Sequence, residues 1–486
     1  MSNEEFRVTR FEEPEIQFSE GSSTSPKRGL FRYGPRLKNA GHHTINVGII
    51  GDRDSIRLLN DLFTRMEGIV HPDLEENSGG EGDDEDGISI SPWKIPYPGA
   101  HPDSPLNVSI RLRDRWKAPL GDDVFMSLEA KNTVSGKMEQ FLEDLEEDIS
   151  FLSDDDPEPD VLVICIPSKV MDECTPDDQD HANVSADGSD LRNRIKLIGM
   201  ENDIPTQLIK PSTLEISSEQ QRASRAWNLT VGMLYKSQRG HPWKTKHLEE
   251  GACYAGISFY KARGNDNENE VRAALAHVFA RKDYNIIQSE PMEDLKEDRN
   301  GRPHLSEKGA KQVVERIVEY YKKRNRGRKP ERIVLHKTSP YWEDERDGFI
   351  EGAGDVGLKD FVHIKTRNTG IRLFPDGKFP PLRGTLFSVP AEDRHFLYTT
   401  GYTPEMATYE GSNIPEPIEI RPDKQCQSNS EKICKEILFL TKLDWNTSDF
   451  AVKEPVTLKV SRKVSDVLSE EYADPKEASA QYFYYM

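Results

Sequence analysis

Four residues stand at spacings that suit a single anion. If Arg192 to Gly199 is helical, Arg192 and Lys196 are four residues apart on one face, so two cations can converge on one phosphate. Gln207 then arrives from a following loop or strand as a neutral donor, and Lys236 can close the pocket from a later element. A basic pair at this spacing is also what a solvated helix surface looks like, and spacing alone leaves both readings open. Other chemistries find less support. The five cysteines are odd in number and form no CxxC pair, so neither a disulfide framework nor a zinc cluster is expected, and they read as reduced thiols. The twelve histidines fall at no HExxH-like spacing, and no metal site built by protein side chains is expected. Gly48 and Gly51 in GIIGDRDS lack the GxGxxG spacing of a dinucleotide loop and read as turn glycines.

These residues need a scaffold, and 486 residues suffice for two or three domains, each with its own core. The formal net charge of -20 at first sight opposes nucleic-acid binding, because phosphate contacts require Lys and Arg. Its distribution removes most of that objection. Glu75 to Asp86 holds seven acidic residues and Glu143 to Asp160 holds ten, with no Lys or Arg in either, so the rest of the chain stands at -20 + 17 = -3. Both segments read as solvated acidic loops. The longest apolar run, Val161 to Ile166, is too short to span a bilayer. The opening residues MSNEEFRVTRFEEPEIQF lack the basic and apolar regions of a secretory signal, so a cytoplasmic, membrane-free protein is expected.

Along the chain, residues 1–43 read as an extended arm or linker. Ile45 to Gly51 is the first strong strand, followed by a helix that Asp54 can cap. Further strands are expected at Val161 to Pro167 and near Thr206 to Ile209, in an α/β alternation that makes a Rossmann-like domain over residues 44–245. From residue 246 the texture changes. CYAGISFYK, EVRAALAHVFA and DYNIIQSEP read as three consecutive strands, and Ser306 precedes a helix with Val313, Val314, Ile317, Val318 and Tyr321 on one face. RIVLH then forms a fourth strand. Three strands, a crossover helix and a fourth strand match the order of an RNase H-like fold over residues 246–486.

With those elements in place, the chain from about Ile45 to Met486 resembles the short prokaryotic Argonautes, which consist of a MID and a PIWI domain. LRNRIKLIGMENDIPTQLI resembles the family's guide-phosphate segment, and WNLTVGMLYKSQRGHPWK resembles its connection into PIWI. CYAGISFYK, RIVLHKTS, LTKLDWNTSDF and ASAQYFYYM resemble PIWI segments in the expected order. The resemblance implies that Arg192 lies near the guide's terminal base and that Lys196, Gln207 and Lys236 hold its 5′-phosphate, with Lys244 or Lys246 as alternatives to Lys236. It also implies a Mg2+ ion held by the phosphate and the terminal carboxylate, here that of Met486.

The resemblance further implies a nuclease-dead PIWI domain. Cleaving relatives hold two metals with carboxylates, whereas Ser258 and Thr338 stand at the two Asp positions and Arg462 near the final His or Asp position. CYAGISFYK contains no acid at all, and RIVLHKTSPYW none before Glu343, so no shift of register restores the set. KKRNRGRKPER, Lys322 to Arg332, is the densest basic stretch and suits either a duplex channel or a solvated helix end. About forty residues precede Ile45, too few for the N and PAZ domains of long Argonautes. The expected activity is guide-dependent recognition of complementary single-stranded target, with RNA guide and DNA target. An APAZ-containing effector subunit, TIR, sirtuin-like or nuclease, is the expected partner in defence against plasmids or phage. Two alternatives stay open: a guided endonuclease using Glu290, Glu293 or Asp294, and an RNase H-like scaffold that uses no guide.

Overall fold

The computed structural model describes residues 6–37, 41–72, 95–174, 191–214, 222–261, 271–279, 284–288, 296–297, 303–377, 380–406, 409, 413–470, 473, 479 and 481–486. The acidic segment Glu75 to Asp86 and the carboxylates Glu290, Glu293 and Asp294 lie outside the described residues.

The N-terminal forty residues depart from an extended linker. Strand β1 (Arg7–Arg10), strand β2 (Ile16–Gln17) and helix α1 (Pro26–Tyr33) are ordered elements, and Phe11, Ile16, Phe18 and Leu30 enter the core. Buried apolar side chains, too few and too irregular to show a period, anchor this segment. So does Glu13, whose carboxylate is buried between Arg383 at 2.9 Å and Lys442 at 2.5 Å.

Four strands then form a fully parallel sheet: β3 (His43–Gly51), β4 (Val108–Pro119), β5 (Val161–Cys165) and β6 (Thr206–Ile209), in the order β4-β3-β5-β6. Every residue of β5 is buried, as a parallel strand covered on both faces requires. Helix α2 (Arg53–Met66) follows β3, but its cap is Asp52, which accepts from Ser55 N at 2.7 Å, rather than Asp54. Helix α3 (Asp122–Glu129) precedes α4 (Val134–Ser153), and α4 corrects the acidic-loop reading of Glu143 to Asp160, whose first eleven residues are helical. Met138, Phe141, Leu142, Leu145, Ile149 and Leu152 bury one face of α4 and leave the carboxylates on the other. Asp148 is half buried there, and burial with Asp144, Glu147 and Asp123 nearby pushes its pKa up to about 6. Helices α5 (Leu191–Glu201) and α6 (Arg222–Gln238) flank β6 in sequence, and strand β7 (Lys244–Thr245) pairs with β2.

The second sheet has nine strands among the described residues. One end of it is β8 (Ala252–Lys261), β9 (Val271–Phe279) and β10 (Tyr284–Gln288), an antiparallel meander, as expected. Helix α7 (Glu307–Arg324) crosses over to β11 (Arg332–Lys337), which lies parallel to β8. Ser306 caps α7, and the expected apolar face is buried. Helix α8 (Glu343–Ala353) leads to β12 (Leu358–Lys365), and strands β13 (Thr385–Val389), β14 (Arg394–Leu397) and β15 (Ile418–Pro422) extend the sheet. The full order is β1-β13-β14-β15-β12-β11-β8-β9-β10, so the N-terminal strand forms an edge of the second sheet. Helices α9 (Ser430–Leu440) and α10 (Val456–Leu468) complete the packing. Arg332, the end of the basic stretch, is not available to a duplex. It is buried against Asp360 at 2.7 Å and Glu436 at 2.6 Å.

No described helix is long and apolar enough to cross a membrane. The fold is mixed α/β: a Rossmann-like parallel sheet followed by a sheet of RNase H-like order.

Candidate phosphate-binding site

Helix α5 carries Arg192 and Lys196 at the edge of the first sheet, where β6 brings Gln207 beside them. All three line a pocket of about 370 Å3, together with Met486. The C-terminal residues Tyr482 to Met486 are buried, and the Tyr485 carbonyl accepts from Lys196 Nζ at 3.2 Å. An aromatic tail packed into the core thus places the last residue of the sequence at the pocket wall.

Lys236 takes a different place from the one expected. It is 1% exposed on α6, behind the wall, and donates to the Thr206 carbonyl at 2.9 Å and to Gln207 Oε1 at 2.6 Å. Burial, and then the neighbouring Lys196 and Lys463, hold its pKa well below the ordinary lysine range. Lys236 therefore acts on the pocket through Gln207 and through its field. Lys244 is exposed on β7, and Lys246 pairs with Glu15 at 3.7 Å. Neither lines the pocket.

Three further cations do line it: Lys210, Arg225 and Lys463. Arg225 is buried and donates to the Thr213 carbonyl, which ties α6 to the turn after β6. Lys463 comes from α10, in the second half of the chain. That helix is fastened to α5 by Asn193, whose Nδ2 donates to the Asp466 carbonyl and to Glu470 Oε1, both at 3.2 Å. Asn228 and Asn446 complete the polar wall, and Asn228 Oδ1 accepts from Ser448 N at 2.9 Å and Ser448 Oγ at 2.7 Å. Five cationic side chains thus line a cavity that has no Asp or Glu among its described lining residues. Such a field recruits anions, and Arg and Lys donors suit a phosphate.

Of the positions matched to a nuclease centre, Ser258 and Thr338 directly follow Ile257 and Lys337, which pair between the parallel strands β8 and β11. Ser258 on β8 donates to the Ser461 carbonyl at 2.7 Å and, its proton so committed, accepts from Ser465 Oγ at 2.5 Å. Both partners lie on α10, one turn apart. Thr338 follows β11 at the surface, and its carbonyl accepts from His363 Nε2 at 3.2 Å. Arg462 is exposed on α10 and pairs with Glu454. The helix period explains the difference, since Ser461 and Ser465 share the face toward β8 and Arg462 turns away from it. The close approach of α10 is set by Gly256, where an added Cβ would lie 2.2 Å from the Thr457 carbonyl. Beside it His336 Nδ1 bonds Thr457 Oγ1 at 2.8 Å, and burial lowers the His336 pKa to about 3.

No protein-family model matches the sequence, and no curated protein matches it. Solved structures do. Clostridium butyricum Argonaute bound to a guide DNA and a 19-mer target DNA aligns with 99% of this chain and 55% of its own, at TM-score 0.63 and 15% identity. Drosophila Piwi aligns over 99% of this chain and 56% of its own, at TM-score 0.61 and 15% identity. Marinitoga piezophila Argonaute in complex with a 5′ OH guide RNA aligns over 96% and 60%, at TM-score 0.56 and 14% identity. The chain spans a little over half the length of these proteins, and at such identity the likeness is one of fold. The chain has the fold of the MID and PIWI portion of Argonaute and Piwi proteins.

Proposed function

We propose that this chain is a guide-binding module that holds the 5′-phosphate of a short nucleic acid, RNA in the first instance, and pairs it with a complementary single-stranded DNA target. The observation that carries this reading is the convergence of Arg192, Lys196, Gln207 and Lys463 on one cavity, from both halves of the chain. Neighbours of the same fold are solved with guide and target strands, which supports a nucleic-acid ligand over a small anion.

The same chain is proposed to bind its target without cutting it. Metal-dependent hydrolysis needs carboxylates that fix two ions, and Ser258 faces hydroxyl and carbonyl groups instead. Target binding then has a consequence only through a second component whose states it biases by differential contacts. We propose an APAZ-containing effector subunit, with a TIR, sirtuin-like or nuclease activity, acting in the cytoplasm against plasmids or phage. The magnesium ion implied by the family resemblance meets an ill-suited set of groups. The described lining residues include five cations and no Asp or Glu, and the Gln207 and Asn228 side-chain oxygens are already engaged.

The test is to purify the chain with its genomic neighbour and sequence the short nucleic acids that come with it. A population of uniform length bearing 5′-phosphates is expected, together with effector activity that rises when complementary target is added. Nucleic acids of random length without 5′-phosphate, and no association with the neighbour, would overturn the reading.

A further inference from the structure

We propose that protein side chains alone hold the guide phosphate, with Lys463 supplying the charge for which a divalent metal would otherwise be needed, so that 5′-phosphate recognition is independent of magnesium. The inference rests on reading the pocket as the guide's 5′-end site.

Magnesium demands near-octahedral oxygen at about 2.0–2.1 Å and is usually bound through one or two carboxylates. Among the described residues that line the pocket none is Asp or Glu. Gln207 Oε1 accepts from Lys236 at 2.6 Å, Asn228 Oδ1 accepts twice from Ser448, and the Thr213 carbonyl accepts from Arg225. Freeing any of these for a metal would break a contact that shapes the wall.

Charge points the same way. Arg192, Lys196, Lys210, Arg225 and Lys463 face the cavity, and Lys236 lies directly behind it. Lys196 and Lys463 already weaken proton binding at Lys236. A dication placed among them adds repulsion, whereas a 5′-phosphate of charge about -1.5 to -2 relieves it.

Lys463 is the member best placed to act as the point charge. It is carried by α10, which packs beside α5 through Asn193, so its ammonium and that of Lys196 reach one cavity from two elements. Burial and Lys459 lower its pKa, while Asp444 and Asp466 oppose that shift. Asp444 is itself engaged by Lys459, and neither carboxylate lines the cavity. An ammonium with three donors can replace a metal's charge without a fixed coordination geometry.

The experiment measures binding of labelled guide RNA with 5′-phosphate or 5′-hydroxyl to the full chain, in buffer containing either magnesium or EDTA. The affinity ratio between the two guides cancels magnesium's general effect on RNA. The ratio is expected to exceed about a hundredfold and to change by less than about threefold between buffers. Lys463→Met is expected to lose most of the ratio in EDTA, and Lys463→Arg to keep it. Collapse of the wild-type ratio in EDTA, or a Lys463→Met variant equal to wild type in EDTA, overturns the proposal. The first of these arms needs no variant, so misfolding of Lys463→Met leaves the test intact. A ratio near one in both buffers signals a different failure, that of the pocket assignment itself.

Discussion

Lys236 Nζ donates to Gln207 Oε1 at 2.6 Å, and this contact decides which end of the Gln207 amide serves the pocket. With Oε1 turned to the buried lysine, the Nε2 end, which donates one hydrogen to the Leu208 carbonyl at 3.4 Å, has its second hydrogen to offer an anion. A lysine that touches no solvent thereby acts on a ligand through its neighbour. Gln207→Glu replaces that donor with a carboxylate and sets a negative charge in the phosphate's place. The preference for a 5′-phosphate guide should fall by about 1.5–3 kcal/mol, roughly ten- to a hundredfold, in a competition assay. An unchanged preference would remove Gln207 from the site.

Proton linkage gives a second prediction. The folded chain binds the Lys236 proton more weakly than the unfolded chain, so this group adds stability as pH rises from its depressed value toward the ordinary range near 10.5. Denaturant unfolding followed across pH should show this rise in the wild-type chain and a smaller one in Lys236→Met. An equal pH dependence in the two would contradict the arrangement.

Hydroxyls at Ser258 and Ser465 hold α10 against β8, which makes the position structural. Ser258→Ala should lower stability by about 1 kcal/mol, seen as a lower melting temperature. The guided wild type and the variant should both leave a labelled complementary target intact with magnesium or manganese. Product that disappears when a carboxylate of the second sheet is mutated would show that the chain is a nuclease after all.

Much of this was legible because period and residue type agreed. Alternation and apolar runs marked β3, β5, β6 and the meander, and i, i+4 spacing put Arg192 and Lys196 on one wall. What escaped was long-range. Glu143 to Asp160 was dominated by charge, so the apolar stripe of α4 beneath it went unread. Lys463 stands beside Arg462 in LKVSRKV, and only the helical phase of α10 reveals that the first enters the pocket while the second faces Glu454. Lys210 and Arg225 carry no local signal, because the fold around β6 and α6 is what brings them together. The N-terminal arm escaped for the same reason, since its anchor Glu13 pairs with Arg383 and Lys442, hundreds of positions away.

That anchor yields a third kind of test. Two cations hold the buried Glu13 carboxyl below its ordinary range despite desolvation. Its stabilisation is thus present above the unfolded carboxylate pKa of 4.5 and is lost as pH falls through the lower folded value. Glu13→Gln leaves Arg383 and Lys442 facing each other without a counter-charge and should cost about 3–5 kcal/mol. Denaturant unfolding at neutral pH measures this. A loss below about 1 kcal/mol would mean that the arm is held by its apolar contacts alone.

The most direct measurement compares the affinity of the purified chain for one guide sequence carrying a 5′-phosphate or a 5′-hydroxyl. Charge-assisted bonds from Lys196, Gln207 and Lys463 predict at least about a hundredfold preference for the phosphate, roughly 3 kcal/mol. The double variant Lys196→Ala, Gln207→Ala should erase it while leaving the melting temperature of the chain near that of wild type. Equal affinity of the wild-type chain for the two guides would contradict the assignment of this cavity to a guide's 5′ end.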